Sequence, residues 1–106
     1  MPKYLMQVSY TADGAKGLMK DGGSKRVKAA RNAAQSVGGT LESMYFSFGD
    51  HDAIVIVDVP DTAAMVAMSL TLNASGAITS KTTVLVAAED VDGATKKSPK
   101  YKAPGK

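Results

Sequence analysis

The sequence predicts an α+β fold running strand, helix, strand, strand, helix, strand, with two helices on one face of a four-stranded antiparallel sheet. Three observations carry this. The hydrophobic period switches between two and about 3.6 residues at Gly22-Gly23, Gly38-Gly39 and Pro60. Ala53 to Val57 is apolar at every position, as in a strand covered on both faces. Ser24 and Asp61 are good N-caps, each standing at the start of a segment with helical spacing.

Taken in order, Lys3 to Tyr10 alternates, with Tyr4, Met6, Val8 and Tyr10 on one face and Leu5, Gln7 and Ser9 on the other. Thr11 to Gly14 ends that strand with ordinary turn chemistry, and Gly14 to Asp21 suits a short helical turn. From Lys25, the spacing of Val27, Ala30, Ala34 and Val37 predicts a helix with a narrow stripe of small buried residues. Thr40 to Phe48 reads as the second strand, with Met44, Phe46 and Phe48 opposite Leu41, Ser43, Tyr45 and Ser47. Gly49 to His51 turns the chain into a third strand ending at Val59. The second helix follows Asp61 and buries Ala64, Met65, Met68 and Leu72. Ala77 to Ala87 is the fourth strand, and Glu89-Asp90 starts a last helical turn. Beyond it the chain is rich in Lys, Ser, Pro and Gly, so residues 1–92 are expected to form the domain and 93–106 a flexible tail.

Charge supports that division. Five of the 13 basic residues lie after Thr95, whereas all 10 acidic residues precede it. The net charge of +3 is therefore a property of the tail, and the body is slightly acidic. A nucleic-acid-binding domain needs a basic face on the fold itself, so no nucleic-acid partner is expected. No stretch approaches the roughly 20 apolar residues of a membrane span. The first residues enter strand alternation directly, with no apolar leader, and there is no cysteine. Disulfides, zinc–thiolate sites and thiol nucleophiles are thereby excluded, and a cytoplasmic location is expected.

Several segments, taken together, resemble the GYD-domain family. They are Lys3-Tyr4-Leu5, Tyr10-Thr11 with Gly14, Gly17-Leu18, Ser24-Lys25-Arg26, Ala29-Ala30-Arg31, Gly38-Gly39, Gly49 with Asp52, Val59-Pro60-Asp61, and Gly76 to Thr83. The family's glycine–tyrosine–aspartate slot reads Gly49-Asp50-His51-Asp52 here, with histidine in place of the tyrosine. The resemblance implies a ferredoxin-like fold of the dimeric α+β barrel type, with sheets paired face to face. It implies a fold and an assembly rather than an activity.

The candidate chemistry is sparse. His51, the only histidine, stands between Asp50 and Asp52, and a carboxylate neighbour can orient an imidazole for acid–base work. His51 and Asp52 are accordingly the catalytic candidates, against a plain solvated turn. Tyr10, Ser24, Arg26 and Tyr45 are the ligand-binding candidates: hydroxyls on apolar strands, and a cation at a helix start that can hold an anion. No metal site or cofactor is expected, since a second histidine is absent and no phosphate-binding or dinucleotide-binding glycine pattern occurs. Two functional readings follow. One is a homo-oligomer, dimeric or higher, that binds a small molecule between sheet and helices or between subunits. The other is a cofactor-independent enzyme, monooxygenase- or isomerase-like, using His51 as acid and base. Because both faces of the third strand are apolar, the sheet face opposite the helices is expected to be the oligomer contact.

Overall fold

The structure, a computed structural model, describes residues 1–106. Four strands, β1 (Lys3–Tyr10), β2 (Thr40–Phe46), β3 (Ala53–Asp58) and β4 (Ile78–Leu85), form one sheet. The helices are α1 (Ala12–Asp21), α2 (Gly23–Ser36), α3 (Thr62–Ala74) and α4 (Ala88–Thr95). The strand order is β2-β3-β1-β4, and each neighbouring pair is antiparallel.

Strand register sorts the side chains. Tyr4 pairs with Val57 and Val84, and Met6 with Val55 and Thr82, so alternate residues of β1 and β3 share the face on which α2 and α3 pack. That face holds the core: Tyr4, Met6, Val8, Ala53, Val55, Val57 and Val59, closed by Ala34 of α2 and by Met65 and Met68 of α3. The unbranched methionines fill the gaps between the sheet and the two helices. Leu5, Ile54 and Ile56 point to the other face, where they are half-buried by their neighbours and no helix lies over them.

The dimeric-barrel expectation is corrected by this sheet. It has two free edges, β2 and β4, and it does not close. Closure needs the edge strands to pair through a staggered register, and four strands of six to eight residues leave the two edges apart. A fold analogy transfers connectivity; it does not transfer curvature.

Three local expectations also change. Thr11 is not the end of a turn but the N-cap of α1, its hydroxyl accepting from the Gly14 N–H at 3.2 Å. Ser24 makes no cap hydrogen bond, because α2 already begins at Gly23. In β2 the register slips between Leu41 and Ser43, so Glu42 is an extra residue and Leu41 joins Met44 and Phe46 on the core side. Asp61 does cap α3, accepting from the Ala64 N–H at 2.8 Å.

Beyond Thr95 the chain forms no strand or helix. The molecule measures 56 × 33 × 22 Å with a radius of gyration of 16.8 Å. A compact chain of about 100 residues has a radius of gyration near 13 Å, so part of this chain projects away from the core. No helix is long and apolar enough to cross a membrane.

Candidate functional site

A cavity of about 120 Å³ lies between α2, α3 and the sheet. Its floor is Met6 and Val8 of β1 with Val55 and Val57 of β3, and its walls are Ala29, Ala30 and Ala33 of α2 and Met68 and Leu72 of α3. The opening exists because α2 presents alanines where larger side chains would reach the sheet. Every lining residue except Arg26 is hydrophobic.

Arg26 and Tyr10 form the polar part of the lining. Tyr10 lies at the end of β1, and its backbone N–H donates to Oδ2 of Asp52 at 2.7 Å. Asp52 in turn donates its own N–H to the Val8 carbonyl at 2.8 Å. The β2–β3 connection thus pins the end of β1 and, with it, the position of the Tyr10 ring. Burial raises the Tyr10 pKa above the usual value of 10.0, the Arg26 guanidinium beside it opposes that rise, and Asp52 adds to it. The phenol is therefore a neutral hydroxyl at physiological pH. Arg26 has no carboxylate within ion-pair distance, since the ion pairs of the molecule both belong to Lys3.

Of the four residues expected to bind a ligand, Tyr10 and Arg26 come together at this cavity. Ser24 is exposed near the start of α2 and lines no cavity wall. Tyr45 pairs with Ile54 on the opposite face and is 73% exposed. The alanines of α2 were the missed signal: three of them within five residues leave a gap that the sequence pattern shows only as a small-residue stripe.

His51 belongs to a different place. The turn is held by the Ser47 N–H donating to the Asp52 carbonyl at 2.9 Å and by the Ser47 hydroxyl donating to the His51 carbonyl at 2.7 Å. Its ring reaches Ser9, with Nδ1 and Oγ 3.4 Å apart, in an all-polar depression on the face away from the helices. The hydrogen-bond partner of the ring is a serine hydroxyl, and neither a tyrosine nor a carboxylate is bonded to it. Asp52 holds the Tyr10 backbone instead of the imidazole. No group of three or more His, Asp or Glu side chains is arranged to hold a metal ion.

A family model for the GYD domain matches residues 4–95. The chain belongs to the GYD-domain family. The match runs from the second residue of β1 to the last residue of α4, so it takes in all of the sheet but Lys3, all four helices and both walls of the cavity. Among curated proteins none matches the chain. In this GYD domain the turn after β2 carries His51, and the aspartate that follows it, Asp52, ties β3 to the end of β1.

Proposed function

We propose that this GYD-domain protein binds a small acidic molecule with an apolar body, such as a monocyclic aromatic carboxylate, between α2, α3 and the sheet. The observation that carries the reading is an unpaired guanidinium, Arg26, on an otherwise apolar cavity. A dry cavity of roughly 150 Å³ accommodates a benzene-sized group, and a cation that lacks a protein carboxylate is free to take one from a ligand. The neutral Tyr10 hydroxyl supplies a second donor beside it.

Benzoate and toluene test this directly by calorimetry. Benzoate is expected to bind the native protein more tightly than toluene. Arg26→Met removes one charge-assisted interaction and should weaken benzoate about tenfold or more while leaving toluene unchanged. Ala33→Leu fills the gap and should abolish both. Undiminished benzoate binding by Ala33→Leu would place the ligand elsewhere.

The reading includes a homo-oligomer. Only 12 of 106 residues are buried in the single chain. Residues 62–80, covering α3 and the start of β4, contain no ionisable side chain, so a second surface can cover them without burying a charge. Val66 and Leu70 of α3 are 49% and 66% exposed, and Val84 of β4 is 59% exposed. The Ser69 and Thr82 hydroxyls, 3.4 Å apart, join the two elements on this side. The face away from the helices carries Lys3, Asp58, Lys81 and His51 among its apolar residues, so the uncharged α3–β4 side is the better contact. Two-fold symmetry would bring this neutral surface against itself without like-charge repulsion. Leu70→Lys is expected to halve the mass of a dimer in light scattering while leaving the circular dichroism intact. A native protein already monomeric at micromolar concentration would remove the assembly from the reading.

A further inference from the structure

We infer that the depression beside His51, on the sheet face away from the helices, is a second binding site, one for a tetrahedral oxyanion such as a phosphate group. It has a volume of about 190 Å³ and is lined by Gln7, Ser9, His51, Thr79, Ser80 and Lys81. None of the six is hydrophobic and none is acidic. The register builds it: Gln7 pairs with Lys81 and Ser9 with Thr79, so one amide, two hydroxyls and one ammonium share a face on adjacent strands. The β2–β3 turn then adds the imidazole, 3.4 Å from the Ser9 hydroxyl.

The charges around the site favour an anion. Lys81 makes no ion pair, because both pairs in the molecule belong to Lys3. Of the two carboxylates beside His51 in sequence, Asp52 is occupied by the Tyr10 N–H, and neither Asp50 nor Asp52 lines the depression. An ammonium, an amide, two hydroxyls and an imidazole offer more donors than the two oxygens of a carboxylate can use, whereas a phosphate presents three strong acceptor oxygens. The site is separate from the cavity between the helices: it lies on the other side of β1, whose alternate residues face opposite ways. It therefore stands or falls independently of the ligand assigned to that cavity.

His51 is the only histidine, so its imidazole proton resonances report on this site alone. Inorganic phosphate, added at constant pH and matched ionic strength, is expected to shift them in a saturable way, with a dissociation constant in the millimolar range or tighter. Lys81→Met should weaken that response about tenfold, and Ser9→Ala should weaken it by a smaller factor. Lys81 is exposed, so its replacement leaves the core untouched. Phenyl phosphate binding more tightly than inorganic phosphate would identify a phosphate ester as the ligand; equal binding would identify the free anion, and either result supports the site. A shift that grows linearly without saturating, an unchanged response in Lys81→Met, or an equal response to acetate would overturn it.

Discussion

Met6→Ala is expected to lower the stability of this GYD domain by about 3 kcal/mol, within the range of roughly 2–5 kcal/mol for deleting a buried methionine side chain. Met6 is 1% exposed and sits in the central part of the sheet, between Val55 of β3 and Thr82 of β4. Each kcal/mol lowers the melting midpoint of a domain of this size by about 4–8 °C, so the loss is visible by circular dichroism at fixed protein concentration. The same side chain is part of the cavity floor. The variant therefore has more empty volume in the place assigned to the ligand, and benzoate should restore part of the lost midpoint in Met6→Ala. A variant that melts within a degree of the native protein would mean that the helices collapse onto the sheet once the methionine is gone.

Gly14→Ala is expected to cost about 2–3 kcal/mol through overpacking, whereas Gly17→Ala, three residues later in α1, should stabilise by up to about 1 kcal/mol. The two glycines differ only in what surrounds them. A Cβ on Gly14 would overlap the Ala77 carbonyl oxygen and crowd the Tyr10 ring, while a Cβ on Gly17 meets nothing. The Ala77 carbonyl cannot simply move aside, because it accepts from the Thr11 N–H at 3.0 Å, and the neighbouring Gly76 carbonyl accepts from the Thr11 hydroxyl at 2.7 Å. These bonds fasten the start of α1 to the loop between α3 and β4. Opposite signs for the two substitutions, measured by thermal or urea unfolding, are the expected result. Equal effects would show that the contact at Gly14 relaxes.

Much of the frame was legible because period and punctuation agree. The alternation of Tyr4, Met6 and Val8 places them on the core side, and Asp61 after Pro60 starts α3 as its capping chemistry requires. The departures have local causes. Thr11-Ala12-Asp13-Gly14 has the composition of a turn, yet the same threonine and aspartate suit the first turn of a helix, and the fixed Ala77 carbonyl selects the helix. In β2, strict alternation sends Leu41 to the wrong face because one extra residue, Glu42, inverts everything before it. The bulge coincides with ion pairs from Lys3 to Glu42 and to Asp58, contacts between residues 39 and 55 positions apart. Such pairs are invisible to a reading that moves along the chain.

The sequence by itself determined the strand positions, the two principal helices, the start of α3 and the membership of the GYD-domain family, since each of these is written in neighbouring residues. Only the tertiary structure decided which candidates meet. It brings Arg26 beside Tyr10 at the cavity, separates them from His51 by the thickness of the sheet, and places Gln7 and Lys81 beside that histidine. It also shows a sheet with two open edges where a closed arrangement was expected. The physical reason is the same in each case. Alternation says that two residues of a strand face opposite ways; strand order and register say what lies across from each, and those are set by hydrogen bonds between segments far apart in the chain.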